Sequence, residues 1–275
     1  MPKVIFRIGN FPIHLFGLFI ALGILGGLYI LRQEVIRKNF DEEKVFDLAI
    51  YSIIVAIIGA RIYYVLAFNP SYYLKNPVQI FMIQNGGLSI HGSLIAAIGF
   101  AIIYTKYKKL SFWRIADTFA PAIILGQAIG RVGCDVFGTA MQTAYFWGVK
   151  INNQLLHPVQ IYESILNYVL FAVLWNLRDR IKYNGQLFLY YLIGFSFNRG
   201  VVEFFRTNPM VIEPFTIAHV TSLIIMIVAL FVMVYLRKQK KFVNEIKIDA
   251  RNKLIGNVAT LGMIILSIMI YYKIY

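Results

Sequence analysis

Eight apolar stretches, separated by connections whose basic content alternates between high and low, constrain this chain more than any other feature of its sequence. The stretches cover residues 12–31, 46–67, 85–105, 115–133, 159–177, 185–205, 217–236 and 254–273. Each is close to the ~20 residues that an α-helix needs to cross a ~30 Å hydrocarbon core. In such a core every backbone N–H and C=O must be satisfied within the segment, so helices are the expected solution. Connections 32–45, 106–114, 178–184 and 237–253 together hold 18 Lys and Arg, whereas segments 1–11, 68–84, 134–158 and 206–216 hold five. This is the positive-inside pattern, and it places the N-terminus outside. The expected architecture is an all-α polytopic transmembrane bundle. A membrane domain of seven spans occupies 1–236, a basic cytoplasmic connection 237–253, and an added C-terminal helix 254–275. That last stretch is interrupted by Asn257 and preceded by a basic run, so an interfacial helix is its alternative.

Composition agrees with this reading. The chain is 59% hydrophobic and 15% charged, against about 45–50% and about 25% for soluble domains. Its net charge of +14 lies between apolar segments, so it reads as membrane topology and not as a nucleic-acid surface. The first apolar stretch lacks a small-x-small cleavage signal and is expected to be a span. The single cysteine, Cys134, forms no internal disulfide and reads as a small buried residue, with a reactive thiol as the alternative. Polar residues and glycines in the third, fourth and sixth stretches mark them as interior-facing.

Charges inside spans are the informative residues. An arginine at mid-bilayer costs at least about 2.5–3.5 kcal/mol, tolerated when it faces the bundle and has a partner or ligand. Arg61, Arg131 and Arg199 fall within spans or at their ends, and Arg206 follows the sixth. Arg199, Glu203 and Arg206 are spaced i, i+4, i+7 and share one helix face. Glu203 neutralises one arginine at a time, so the set stays positive and suits an anion. A purely structural ion-pair network is the alternative.

Arg131 stands in Gly130-Arg131-Val132-Gly133. Gly130 and Gly133 let a backbone or headgroup approach, and a guanidinium fork fits two phosphate oxygens. Helix packing with a snorkelling arginine is the other reading. Arg61, in Gly59-Ala60-Arg61, has a similar small-residue flank and is placed with Arg131 in substrate binding. His91 follows Asn85-Gly86-Gly87-Leu88-Ser89-Ile90, a polar, flexible run that implies a broken helix beside a cavity. A histidine there is either a general base or a packing residue in a tight helix crossing, and spacing does not decide. Asp117, near the basic face, is expected to pair with a cation. Glu163 is read first as a first-turn carboxylate held by the helix dipole, with an inward arginine partner as the alternative. No metal-ligand spacing, catalytic serine arrangement or Gly-Lys phosphate loop is present in the sequence. No cofactor is expected, and the chain offers no evident nucleophile.

The motifs Gly86-Gly87-Leu88-Ser89-Ile90-His91-Gly92, Gly130-Arg131-Val132-Gly133-Cys134, His157-Pro158-Val159-Gln160-Ile161-Tyr162-Glu163 and Arg199-Gly200-Val201-Val202-Glu203-Phe204-Phe205-Arg206 occur in this order. Together they resemble the prolipoprotein diacylglyceryl transferase family over about residues 10–236. The resemblance implies a multi-pass enzyme of the bacterial plasma membrane. Its partners would be phosphatidylglycerol, preprolipoprotein signal peptides with a lipobox cysteine, and membrane lipids. The diacylglyceryl group would pass from phosphatidylglycerol to the cysteine thiol, giving a thioether and glycerol 1-phosphate. On this reading Arg131 binds the phosphate, Arg199 stabilises it as it leaves, Glu203 and Arg206 orient Arg199, and His91 helps deprotonate the thiol. The chain departs from the family at Cys134-Asp135, where asparagine is usual after the glycine–arginine motif. It also departs at Phe16, where tyrosine is common, near His219, and in the added eighth stretch. An organic-anion transporter and a non-catalytic phospholipid-binding protein are the readings from other classes.

Overall fold

In this computed structural model, residues 4–9, 11–83, 86–239 and 247–275 are described. In chain order the elements are the hairpin β1 (Val4–Ile8) and β2 (Phe11–His14), then α1 (Leu15–Arg37), α2 (Glu42–Phe68), the short α3 (Pro70–Lys75) and a 3-10 turn at Pro77–Ile80. Next come α4 (Ile90–Tyr107), α5 (Phe112–Val132), the hairpin β3 (Val149–Ile151) and β4 (Gln154–Leu156), α6 (Val159–Leu177) and α7 (Gln186–Glu203). The chain closes with β5 (Met210–Ile212), β6 (Phe215–Thr216), α8 (Ile217–Lys238) and α9 (Ala250–Ile274). The long helices fall on the eight apolar stretches. Among the described residues, α1, α2, α4, α8 and α9 are long and apolar enough to cross a membrane. Helices α5, α6 and α7 carry Asp117, Arg131, Glu163, Asn167, Arg199 and Glu203, which lower their hydropathy and mark them as protein-facing.

The chain forms two compact units, one of residues 39–115 and one of residues 1–38 with 116–275. In the smaller unit, α2 starts at Asp41, whose side chain accepts the Lys44 N–H. Glu42 and Glu43 follow in its first turn, where the helix dipole favours carboxylates. Helices α2 and α4 meet through glycine: a Cβ on Gly92 would lie 2.3 Å from the Gly59 carbonyl oxygen. No larger residue permits that approach. The outer flank of α4 is apolar and exposed at Leu94, Ile95, Ile98, Ile102 and Ile103. The polar residues of α4 gather at its two ends, and the middle of this flank is apolar.

The larger unit is built around α5 and α6. Helix α1 crosses α5 where a Cβ on Gly23 would lie 2.6 Å from the Gly126 carbonyl oxygen. Asp117 of α5 is fully buried and accepts the backbone N–H groups of Gly185, at 2.6 Å, and Phe188, at 2.9 Å. It caps α7 from a neighbouring helix, a use the sequence reading did not foresee. Ser164 of α6 donates to the Ala128 carbonyl of α5 at 2.7 Å. Helix α9 packs on α6, with Gly256 against the Trp175 indole. Leu15, Phe19, Val132, Val149, Ile161 and Tyr271 form a buried apolar cluster. The expected basic connection 237–253 lies partly outside the described residues, at 240–246.

Candidate active site

Arg199 and Glu203 lie at the end of α7, and Arg206 follows three residues past it in the next turn. Glu203 is buried, and its carboxylate is the hub. Its Oε2 lies 2.8 Å from Arg199 Nη2 and 3.6 Å from Arg206 Nε. Its Oε1 accepts the Asn208 amide at 2.7 Å and the Thr216 hydroxyl at 2.8 Å. Thr216 is the N-cap of α8 and forms a capping box with His219. One carboxylate therefore aims two guanidinium groups and ties the end of α7 to the start of α8. Its four partners offset the cost of burying a charge.

A second ion pair joins α5 to α6. Arg131 Nε lies 3.0 Å from Glu163 Oε1; the carboxylate is buried, while the arginine side chain remains 33% exposed. Glu163 is thus the inward partner of an arginine, and the first-turn role favoured from the sequence gives way to its alternative. The two glycines of the motif differ in use. A Cβ on Gly133 would lie 2.7 Å from Phe19, so this glycine serves the α1–α5 contact. A Cβ on Gly130 would meet none of the described residues within 4 Å, leaving open space beside Arg131. Of the two, only Gly130 has room for an approaching headgroup. Cys134 is buried, as read from the sequence.

The two ion pairs form one electrostatic cluster, because the charges of Glu163, Arg206, Glu203 and Arg131 all act on Arg199. Three guanidinium groups face two carboxylates, a surplus of one positive charge. Buried Nη1 of Arg199 has no hydrogen-bond acceptor among the described residues. A buried, unspent guanidinium donor in a net-positive cluster is suited to an anion with several acceptor oxygens.

The connection from α5 to α6 is stitched to this region by its backbone. Gly138 donates to the His157 carbonyl at 2.9 Å, and Thr139 donates to the Phe205 carbonyl at 2.8 Å. A Cβ on Gly138 would lie 2.3 Å from that same Phe205 oxygen, so only glycine fits there. Trp147 donates its indole N–H to the Tyr162 hydroxyl at 3.0 Å. His157 Nδ1 lies 3.3 Å from the same hydroxyl. Burial lowers the His157 pKa below its usual 6.5.

Arg61 and His91 belong to the smaller unit. From its sequence context Arg61 is expected among the substrate-binding residues. Its Nε donates to the Ile80 carbonyl and its Nη1 to the carbonyls of Gly86 and Gly87, each at 2.8 Å. Its Nη2 donates to the Gln79 carbonyl, and its guanidinium stacks at 5.2 Å on Tyr73. Four of five donors are thus spent on the loop that precedes α4. Gly86 and Gly87 adopt φ of +83° and +78°, and a Cβ on Gly87 would lie 2.5 Å from Arg61 Nη1. The described part of the run before His91, from Gly86 on, is therefore clamped by Arg61. His91 is exposed on the first turn of α4, its ring 6.2 Å from that of Tyr63.

Several polar residues escaped the sequence reading. Asn198 donates to Asn167 at 3.3 Å across α7 and α6. Gln160 is buried, with neither side-chain polar atom bonded among the described residues. Gln160, Glu163, Ser164 and Asn167 recur at i, i+3, i+4, i+7, so a helical search for polar residues in the fifth stretch would have found this stripe.

Residues 3–235 match the family model described as prolipoprotein diacylglyceryl transferase. Similar proteins include phosphatidylglycerol–prolipoprotein diacylglyceryl transferases from three bacteria. That of Bacillus cytotoxicus is 36% identical over 252 residues, covering 86% of this chain and 93% of that protein. That of Clostridioides difficile is 39% identical over 243 residues, covering 88% and 98%. That of Bacillus licheniformis is 37% identical over 252 residues, covering 86% and 93%.

Proposed function

The chain belongs to the prolipoprotein diacylglyceryl transferase family, and from that premise we propose that its arginine–glutamate cluster holds the phosphate of phosphatidylglycerol during diacylglyceryl transfer to a lipobox cysteine. The observation that carries this reading is the surplus positive charge around a buried Arg199 donor that no acceptor among the described residues fills. Phosphatidylglycerol brings one negative charge, which the cluster balances. Arg131, the more exposed arginine, binds the phosphate first, with the space beside Gly130 admitting it. Arg199 is the inner donor, aimed by Glu203 and supported by Arg206.

The transfer balances simply. The cysteine sulfur attacks the glycerol carbon that bears the phosphate ester, a carbon–sulfur bond forms, and the carbon–oxygen bond breaks. The electron pair leaves with the phosphate as glycerol 1-phosphate, whose charge rises from one to two negatives once the thiol proton is removed. Arginines that meet a growing charge bind the transition state more tightly than the ground state, which is the condition for catalysis. The thiol is mostly protonated at neutral pH. His91 is assigned as its proton acceptor. Arg61 is given a positioning role, because its donors hold the turn that precedes His91. The enzyme is placed in the bacterial plasma membrane with its N-terminus outside. It needs no cofactor for this chemistry, because the nucleophile comes from the protein substrate.

The test is direct. Purified protein, phosphatidylglycerol and a lipobox peptide are incubated, and the peptide mass is read. Gain of one diacylglyceryl group supports the reading. Phosphatidylglycerol binding without that gain points to a non-catalytic lipid-binding protein, and anion flux across sealed vesicles without it points to a transporter.

A further inference from the structure

Helix α9 starts at Ala250, whereas the family match ends at residue 235. We propose that α9 is a positioning helix of the transferase site, fixing the outer end of α6 and the 134–158 connection so that Glu163 and Arg131 stay in register. This rests on the proposed transferase reading and adds to it a segment outside the matched region.

The contacts form an antiparallel ladder along α6. Lys253 lies 2.7 Å from the Asp179 carboxylate. Asn257 and Asn176 exchange amide hydrogen bonds, the shorter at 2.7 Å. Tyr168 and Ser267 hydroxyls meet at 3.0 Å. Each polar pair has one favourable offset along the two helices, so the ladder sets how far α9 reaches. Gly256 holds the closest approach, against the Trp175 indole.

That reach brings the last turn of α9 to the residues beside the cluster. Tyr271 is fully buried and packs with Val132 and Ile161, the neighbours of Arg131 and of the Tyr162–Glu163 step. The Tyr272 hydroxyl donates to the Trp147 carbonyl. Trp147 in turn donates to the Tyr162 hydroxyl, and Tyr162 directly precedes Glu163. Tyr275 presents an edge-on ring contact to Phe137 at 5.2 Å. One end of α9 thus touches α5, α6 and the connection between them. A helix serving only as a buttress would need the apolar contacts but not a hydroxyl spent on a loop carbonyl.

Tyr272 separates the two roles, because it is 39% exposed and its hydroxyl contributes little buried surface. In the full-length chain, Tyr272→Phe is expected to lower kcat roughly fivefold, the loss of one hydrogen bond's worth of positioning. The KM for phosphatidylglycerol should stay within about twofold and the thermal midpoint in detergent should hold. Trp147→Phe should act through the same link, so the double variant loses less than the product of the two single losses. Unchanged kcat in folded Tyr272→Phe overturns the proposal. So does a fall in kcat matched by a loss of folded protein, or a double variant whose losses simply multiply. Wild-type protein that gives no diacylglyceryl peptide removes the transferase reading itself, and this inference with it. Active wild type with an indifferent Tyr272→Phe removes this inference alone.

Discussion

Arg61 and Arg199 are both guanidinium groups held in apolar helices, each beside a glycine-containing motif, and they are used in opposite ways. Arg61 directs four donors to the backbone carbonyls of Gln79, Ile80, Gly86 and Gly87 and lays its plane on Tyr73. Arg199 meets one carboxylate, which Arg206 shares, and keeps a buried nitrogen without an acceptor among the described residues. A charge in a membrane helix demands a partner, so the useful question is whether the protein supplies all of it. Where backbone carbonyls complete the shell, the arginine is scaffold. Where the shell is left short and the surplus charge is positive, an anion is the missing partner.

The largest expected effect breaks or keeps this contrast at its functional side. Arg199→Gln should lower kcat/KM, taken per folded protein, by about 10²–10³, the range seen when one donor to a developing negative charge is removed, and should also lower the thermal midpoint, because buried Glu203 loses its closest charged partner. Activity retained within about tenfold would make the unspent donor irrelevant to the reaction. Arg61→Lys attacks the scaffold side. An ammonium cannot reach four carbonyls, and each buried group left unpaired costs about 1–3 kcal/mol. The yield of folded protein and its thermal midpoint should drop, while the folded fraction keeps its phosphatidylglycerol affinity. A stable Arg61→Lys protein with weakened lipid binding would return Arg61 to the ligand set. Arg131→Gln sharpens the contrast within the cluster. Removing a partly exposed charged donor should raise the KM for phosphatidylglycerol about tenfold, measured under initial-rate conditions.

The smallest effect concerns the frame above the cluster. His157 titrates below its usual 6.5 because burial disfavours its charged form. The unfolded chain then binds a proton at higher pH than the folded chain does. Stability is therefore full above about pH 6.5 and declines as pH falls toward the folded pKa. The thermal midpoint should drop modestly between about pH 7.5 and about pH 5.5, and His157→Gln should flatten that part of the drop. An acid shift of equal size in His157→Gln would assign the effect elsewhere.

The helices were legible in the sequence because apolar run length and backbone satisfaction leave a bilayer-length segment little choice. The grouping of Arg199, Glu203 and Arg206 was legible for a similar reason, since helical spacing puts them on one face. Pairing between helices was not. Arg131 and Glu163 lie on α5 and α6, and only packing brings them to 3.0 Å. Asp117 reads in the sequence as a partner for a cation, and its carboxylate also caps α7, whose start is distant in sequence. Gly130 and Gly133 look alike as letters, but Phe19 occupies the space beside Gly133 and no described residue occupies the space beside Gly130. The partners of Arg61 were invisible because they are carbonyls, which every residue carries.

Titration of detergent-solubilised wild type and Arg199→Gln with phosphatidylglycerol, followed by phosphorus NMR and set beside titration with uncharged diacylglycerol, tests the phosphate site most directly. Wild type should bind phosphatidylglycerol at least about tenfold more tightly than the variant, as expected for loss of a charged hydrogen bond, while both bind diacylglycerol alike. Equal phosphatidylglycerol affinity in the two proteins would show that the arginine cluster does not hold the phosphate.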